Sequence, residues 1–417
     1  MSIRIDRAVS TQRIAEDIET LAGASYTLSA DAICRYAYTD VYRNTLDYFR
    51  DQLDELGFTV STDPVGTLVA RNRPAGERTF GVGSHCDSNR NGGRYDGTMG
   101  VVTALEVCRL DQELRLGLPL QLISFLEEEG SGFGQMLLGS RIMTQRVTEA
   151  DLREEFRAVD DGRPFWVHAE EAGHQPSHWR ESIRALDGLA AWVEMHIEQG
   201  RVLESAGERI GVVSAIAGYT HGDLEIIGRA DHAGATPMDV RRDAGVVAAE
   251  CVLELERLAT AAGKGTVGAV GEIRFEPGLI NVIPGRARLS LDVRGVDDGA
   301  VSGVVGEIAA FAGRRAATRG LVATYTERQV LAATPLDQGV VGALAAGADE
   351  SGERYRSMPS GAAHDTMCVA AQVPSGMVFV PCRDGVSHSP EERADPADAA
   401  LAAEIIVNAL LSLPAEA

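Results

Sequence analysis

The chain has 417 residues, of which 45% are hydrophobic, so it is long enough for two domains and too apolar for wholesale disorder. Acidic residues outnumber basic ones by 61 to 39, and the net charge of -22 argues against nucleic acid or anionic membrane partners. The six cysteines form no C-x-x-C pair, which disfavours a disulfide framework and a thiolate zinc site and fits a reducing compartment.

The N-terminal segment MSIRIDRAVSTQRIAEDIETLA is charged throughout and lacks the apolar core of a signal peptide. No apolar run approaches the length of a transmembrane helix. We therefore expect a cytoplasmic protein without a membrane partner.

The first predicted elements are amphipathic helices at 11–22 and 40–56. Short apolar strands follow at 67–72, 79–85 and 120–128, with a helix at 100–114 between the last two. Strand, helix and strand in this order indicate an α/β sheet, in which ligands collect at the carboxyl ends of parallel strands.

The pattern changes near residue 211. Two alternating strands are predicted within 211–230, then a helix at 241–262, strands within 268–278 and 281–295, and a helix at 298–313. The α/β pattern returns after about 328, with a helix within 335–352, a strand at 375–382 and a closing helix at 396–413. We predict an α/β catalytic domain with a mixed sheet flanked by helices, formed by 1–210 and 328–417, and an inserted α+β sandwich domain at 211–327.

The candidate chemistry lies where strands are predicted to end. The segment GSHCDSNRNGGRYDG places His85 and Asp87 on one face of a strand end, and its glycines allow Asp96 to fold back beside them. Further candidates are the EEEG segment that holds Glu128 and Glu129, His196 in EMHIEQG, and His388 in GVSHSPEE. Histidines and carboxylates without cysteine are typical of a hydrolytic metal site.

Each of these features also has an ordinary explanation. A lone histidine is more often not a ligand, a glutamate run is usually a solvated surface, and the glycines could form only a turn. The glycine segment matches neither the P-loop nor the dinucleotide-binding pattern. The coincidence of all these groups at strand ends favours the metal site.

The order H-x-D, D-G, E-E-G, H-I-E-Q-G and S-H-S-P resembles the metal-dependent amidohydrolases of the peptidase M20 superfamily. More narrowly, it is similar to the branch of N-carbamoyl-L-amino acid hydrolases and allantoate amidohydrolases. The likeness includes RADHAGATPMDVRRDA and NVIPGRARLSLDVRG in the inserted domain. His196 stands where ordinary peptidases of the superfamily have a carboxylate, which points to the ureido-acid branch.

The resemblance implies two divalent metal ions per subunit, zinc first and manganese, cobalt or nickel as alternatives. Asp96 would bridge the two ions, Asp87 would orient His85, and Glu128 would be the general base. The ligands that complete the two sites would be His85 with His196, and Glu129 with His388.

The resemblance also implies a set of substrate-binding residues. Arg294 and Asn281 would hold a substrate carboxylate, and His232 would polarise the scissile carbonyl. The other residues expected to bind substrate are Gln199, Ala363 and His364. The chain departs from the pattern at Asn89, at Gly132, where an arginine is expected, and at Ala363, where glycine is commoner. These departures leave the identity of the substrate open.

The expected reaction is hydrolysis of the carbamoyl C–N bond of an N-carbamoyl-L-amino acid or similar ureido acid, with release of ammonia, carbon dioxide and the amino acid. The alternatives are an allantoate amidohydrolase and an aminoacylase or peptidase that cleaves an N-acyl amide. A non-catalytic metal-bound interaction protein is disfavoured because it would not need the spare carboxylate of Glu128. The resemblance further implies a homodimer formed through the inserted domain, in which His232 acts at the partner's metal ions.

Overall fold

A computed structural model of the chain describes residues 3–263 and 265–414. Residues 1, 2 and 415–417, at the ends of the predicted catalytic domain, and Lys264, in the predicted inserted domain, lie outside the described residues. The chain divides into two compact units. The larger unit comprises Met1–Ser214, Leu336–Met358 and His364–Ala417, and the smaller comprises Ala215–Pro335 and Pro359–Ala363.

The strands, in chain order, are β1 Thr59–Thr62, β2 Leu68–Arg71, β3 Thr79–His85, β4 Leu120–Phe125, β5 Leu189–Ile197, β6 Ile210–Ile216, β7 Gly218–Ile227, β8 Val267–Glu276, β9 Arg286–Gly295, β10 Val322–Leu331, β11 Thr334–Pro335, β12 Tyr355–Ser360 and β13 Ser375–Val380. The α-helices are α1 Arg7–Leu21, α2 Asp40–Glu55, α3 Thr98–Leu114, α4 Leu138–Met143, α5 Phe165–Glu171, α6 Val202–Ala206, α7 Ala244–Ala262, α8 Asp298–Thr318, α9 Gln338–Glu350, α10 Thr366–Val369 and α11 Pro396–Ser412. Short 3-10 helices cover Ala24–Tyr26, Pro176–Leu186, Met238–Val240 and Arg383–Gly385, and one π-helical turn covers Asp151–Glu155.

Nine strands form a mixed sheet in the order β1-β2-β4-β3-β5-β13-β6-β11, with β12 paired to β6. The four neighbours β4, β3, β5 and β13 are parallel, and the flanking pairs β1–β2, β2–β4 and β13–β6 are antiparallel. Every residue of β3, β4 and β13 is buried, as expected for parallel strands covered on both faces. Helix α11 packs against α1, α3 and α9, and α1 packs against α3, which also packs against β3 and β5.

The predicted α/β fold with a mixed sheet is confirmed. The strand predicted at 79–85 has those bounds in the structure, and the helices predicted at 40–56 and 396–413 end within one residue of α2 and α11. The apolar runs of β3 and α11 and the amphipathic period of α2 gave the clearest sequence signals.

The smaller unit is a four-stranded antiparallel sheet in the order β10-β7-β9-β8, with α7 and α8 packed on it. Alternate side chains of β7 and β9 are buried against these helices, among them Leu224, Ile226, Leu289 and Leu291. The intervening side chains form an open, polar face of the sheet.

The boundaries expected at 210/211 and 327/328 fall inside β6 and β10. No strand is predicted from the sequence at 322–331, whereas β10 runs to Leu331 and the smaller unit extends to Pro335. The polar residues of TYTERQ give this edge strand no alternating apolar pattern in the sequence. Its side chains are exposed or partly exposed and need not be apolar.

Within residues 3–263 and 265–414, the helices are too short or too polar to cross a bilayer. All six cysteines are buried and unpaired, in agreement with the absence of a disulfide framework in the sequence pattern.

Candidate metal centre

The four parallel strands carry the candidate residues at their carboxyl ends. β3 ends at His85, β4 ends just before the segment that holds Glu128 and Glu129, and β5 carries His196 next to its last residue. The loop after β13 carries His388. Because these strands are parallel neighbours, their ends meet at one edge of the sheet.

Two glycines explain the composition of the segment from His85 to Gly97. Gly97 has a φ of 60°, and a Cβ there would lie 2.2 Å from Cε1 of His85. A Cβ on Gly93 would lie 2.3 Å from Oε1 of Glu392. Only glycine lets the backbone approach both side chains this closely, and this approach returns Asp96 to the strand ends.

The first group of potential metal ligands is His85, Asp96 and His196, whose donor atoms lie within 4.8 Å of one another. Oδ1 of Asp96 is 3.5 Å from Nε2 of His85 and 3.4 Å from Nε2 of His196. All three side chains are buried.

The second group is Asp96, Glu129 and His388. Nε2 of His388 is 3.5 Å from Oδ2 of Asp96 and 3.4 Å from Oε2 of Glu129. Asp96 therefore directs one oxygen to each group. Burial opposes ionisation of Asp96, but the imidazoles of His196, His85 and His388 hold its pKa below the usual range.

The unpartnered atoms of this cluster fit a pair of metal ions. Nε2 of His85, Nε2 of His196 and Oε1 of Glu129 are buried and have no hydrogen-bond partner among the described residues. Nδ1 of His85 lies 3.2 Å from the Asp87 carbonyl oxygen, and Nδ1 of His196 lies 2.9 Å from the Ile197 carbonyl oxygen. A carbonyl can only accept, so each Nδ1 carries the proton and each Nε2 directs its lone pair into the cluster.

Glu128 lies beside the cluster but outside both groups, with Oε2 3.7 Å from Nε2 of His85. Burial raises the pKa of both Glu128 and Glu129 well above the usual range. The carboxylate of Asp87 accepts hydrogen bonds from the backbone N–H groups of Glu128 at 3.1 Å and Glu129 at 3.0 Å. It therefore fixes the turn that separates these two carboxylates.

This contact is additional to the expected role of Asp87. Its carboxylate is 3.6 Å from Nδ1 of His85, farther than its own carbonyl oxygen at 3.2 Å. The carbonyl is the nearer acceptor for His85, and the side chain acts mainly on the backbone of the glutamate turn.

Sequence reasoning missed two residues that hold Asp96. The hydroxyl of Ser387 donates to Oδ2 of Asp96 at 2.7 Å. Oε1 of the buried Glu392 accepts the backbone N–H groups of Tyr95 at 2.8 Å and Asp96 at 2.9 Å. Both residues flank His388 in the SHSPEE segment, and the second glutamate of that segment was the available signal.

Gln199, expected to face the substrate, contacts the cluster itself. Its Nε2 donates to Oδ2 of Asp96 at 2.7 Å and lies 3.1 Å from Nε2 of His388. Gln199 and His388 both adopt the left-handed backbone region, with φ of 57° and 56°. Such strain in residues other than glycine is concentrated at functional sites.

The remaining predicted residue of the larger unit is His364, whose ring centroid lies 4.5 Å from that of His196. Burial and the neighbouring His196 lower the pKa of His364 well below the usual range. Ala363, next to it in the chain, is assigned to the smaller unit.

His232, Asn281 and Arg294 belong to the smaller unit. The exposed ring of His232 accepts the backbone N–H groups of Gly234 at 3.1 Å and Ala235 at 3.2 Å through Nδ1. The neutral ring therefore carries its proton on Nε2. The His232 segment pairs with the Asn281 segment, because Ala233 N–H donates to the Asn281 carbonyl at 2.9 Å. Arg294 lies on the open face of the sheet, near the end of β9.

A family model described as peptidase family M20/M25/M40 matches residues 78–412. The chain belongs to this family. It is 33% identical to the N-carbamoyl-L-amino-acid amidohydrolase of Paenarthrobacter aurescens, over 96% of this chain and 98% of that protein. It is 34% identical to the ureidoglycolate hydrolase of Oryza sativa subsp. japonica, over 97% of this chain and 85% of that protein.

The fold of this M20/M25/M40 family member is also found in solved structures. A hydantoinase/carbamoylase family amidase from Burkholderia multivorans superposes with a TM-score of 0.88 at 30% identity, over 97% of this chain and 98% of that chain. The prediction of an M20-family amidohydrolase that acts on non-peptide C–N bonds is confirmed.

Proposed function

We propose that the protein is a dinuclear-metal amidohydrolase that cleaves the carbamoyl C–N bond of a small ureido acid, such as an N-carbamoyl-L-amino acid. The observation that carries the proposal is the sharing of Asp96 between two ligand groups, with the carboxylate of Glu128 beside them. The names of the two full-length relatives, one acting on an N-carbamoyl-L-amino acid and one on ureidoglycolate, support the ureido class.

The residues that would hold the two metal ions are His85, His196, Glu129 and His388, with Asp96 between the sites. Nitrogen and oxygen ligands without sulfur suit zinc, manganese, cobalt or nickel. When bound, such cations polarise a carbonyl group and lower the pKa of water, which a ureido carbonyl requires because two nitrogens donate electrons into it.

Glu128 is the proposed general base. It takes a proton from the attacking water and delivers it to the departing nitrogen. The hydrogen bonds from the Glu128 and Glu129 backbones to Asp87 keep the two side chains in separate roles, one free for proton transfer and one available as a ligand. One water and one carbamoyl group yield ammonia, carbon dioxide and the free amino group.

His232 is the proposed donor to the oxygen on which negative charge develops. Two backbone N–H groups fix its Nδ1 as an acceptor, so Nε2–H is available to donate without a change of tautomer. A preformed donor of this kind stabilises the transition state more than the neutral carbonyl of the substrate.

Arg294 and Asn281 are the proposed ligands of the substrate carboxylate, since a guanidinium matches two carboxylate oxygens in a single plane. Gln199, Ala363 and His364 complete the proposed substrate set. Gln199 also donates to Asp96, so its displacement by substrate would alter the hydrogen bonding of the shared carboxylate.

We further propose a homodimer formed through the smaller unit, with His232 acting at the metal ions of the partner subunit. Most exposed large hydrophobic side chains of the described chain lie in this unit. Several of them lie on or just after β8, an edge strand paired on one side only, with β9; they include Ile273, Phe275, Leu279 and Ile280. An exposed apolar edge strand is a suitable surface for pairing with a second copy.

The test is ammonia release from a panel of N-carbamoyl amino acids, allantoate, ureidoglycolate and N-acyl amino acids, with added metal ions. N-acyl compounds contain no carbamoyl nitrogen, so their cleavage is followed by the appearance of the amino acid. We expect turnover of at least one ureido acid, abolished in Glu128→Gln. Turnover of N-acyl amino acids alone would show an aminoacylase or peptidase instead.

A further inference from the structure

Arg294 already holds a carboxylate of its own strand. Asp292, two residues earlier and on the same face of β9, accepts from Nε of Arg294 at 3.0 Å and from Nη2 at 2.9 Å. Both side chains are about one-third exposed, at 33% and 35%. This pair uses the side edge of the guanidinium, which is formed by Nε–H and one N–H of Nη2.

The end edge of the Arg294 guanidinium remains available. A guanidinium has five N–H groups, and those of Nη1 together with the second of Nη2 form an end edge suited to another carboxylate. Among the described residues, none accepts a hydrogen bond from Nη1 of Arg294. Asp292 therefore occupies the side edge of the guanidinium and leaves the end edge open.

Neighbouring side chains hold Asp292 in place. His221 lies directly opposite it on β7, with Nε2 3.4 Å from Oδ1 of Asp292. The His221 ring stacks on Tyr219 with centroids 4.3 Å apart, and Tyr219 lies opposite Arg294, whose guanidinium carbon is 5.6 Å from the tyrosine ring. The four residues form a compact cross-strand block that restricts the rotamers of the aspartate–arginine pair.

We infer that Asp292 is a positioning residue for substrate recognition: it locks the side edge of Arg294 so that the end edge is presented to the substrate carboxylate. The inference rests on the proposed role of Arg294. It implies that recognition depends on the planar match between two oxygens and two N–H groups, because Asp292 already balances the charge of the arginine.

The test compares Asp292→Asn with a matched control on the same face of the same sheet. Asp223 pairs with Arg288 at 2.8 Å and also with Arg328, so Asp223→Asn removes the acidic partner of two arginines on this face without touching Arg294. Values of kcat and KM are measured for the acid and the carboxamide forms of the best substrate, together with thermal unfolding of each variant.

We expect Asp292→Asn to raise KM for the acid by about tenfold, with kcat within about twofold and the carboxamide unaffected. Asp223→Asn should change neither KM value. Asp292→Asn should add nothing further to the KM of Arg294→Ala, since the aspartate acts through the arginine.

An unchanged KM for the acid in folded Asp292→Asn would overturn the inference. A lower KM would also overturn it, because it would show that Asp292 competes with the substrate carboxylate for Arg294. An equal loss on acid and carboxamide, with a lower melting temperature, would also overturn it and leave only a structural role. If the wild-type protein cleaves only N-acyl amino acids, the proposed function fails. The same comparison then still tests Asp292, because the carboxylate is common to both substrate classes.

Discussion

Both ligand groups of the candidate metal centre contain buried atoms that have no hydrogen-bond partner in the described part of the chain. Backbone carbonyls fix the Nδ1 protons of His85 and His196, and the two Nε2 atoms are buried without partners among the described residues. Glu129 likewise has one buried, unpartnered oxygen. Such groups are costly in a folded protein, and metal ions at the two sites would satisfy all of them.

The adjacent glutamates give the sharpest prediction at this scale. Glu128→Gln should retain both metal ions and lose about 10²- to 10⁴-fold in kcat, because only the proton shuttle is removed. Glu129→Gln should lose metal as well as activity. Metal content by elemental analysis, measured beside kcat, distinguishes the two variants. Loss of metal in Glu128→Gln with full occupancy in Glu129→Gln would show that the two roles are reversed.

Sequence patterns predicted the residue types of the site but not all of their contacts. The five proposed ligands come together as the strand ends and the D-G turn predict. The roles of Ser387 and Glu392 depend on a loop that returns to Asp96 from 291 and 296 residues away along the chain. No local periodicity encodes that return, and the same limit explains why the contact of Asp87 with the Glu128 and Glu129 backbone was not predicted.

At the scale of elements, the carboxyl ends of four parallel strands bring the ligand groups to one edge of the sheet. Gly97 sets how closely the D-G turn approaches His85. Helix α3 begins directly after Gly97, so the same residue fixes the start of the helix and the position of His85. The polar edge strand β10 was missed in the sequence because it buries too little apolar surface to show a clear alternation.

The glycine turn can be tested with a matched pair of variants. Gly97→Ala places a methyl group 2.2 Å from the His85 ring at a φ of 60°, so we expect loss of metal binding and activity. Gly117→Ala has a similar φ of 71° but no neighbour within 4 Å, so it should cost about 1 kcal/mol in unfolding free energy and keep its metal ions. Equal metal content in the two variants would show that close approach to His85 is unimportant.

At the scale of the whole molecule, the smaller unit carries the proposed carbonyl donor and most of the exposed large hydrophobic side chains of the described chain. In the proposed dimer, these two features would link pairing of the subunits to completion of the active site.

Mixed dimers test this link. His232→Ala and Glu128→Ala should each be inactive alone. In a mixed dimer one site has both defects, while the other has an intact Glu128 and receives an intact His232 from its partner. Random exchange makes about half of the dimers mixed, so roughly a quarter of wild-type activity should return. Differentially tagged heterodimers that form and remain inactive would place the action of His232 within its own subunit or remove it from catalysis.

The most direct measurement of the central claim is a metal titration of the chelated protein, followed by ammonia release from its best ureido-acid substrate. Zinc, manganese or cobalt should restore the rate from near zero, and the rate should saturate at about two equivalents per subunit, one for each ligand group. Full turnover in protein shown by elemental analysis to be free of metal would contradict the account.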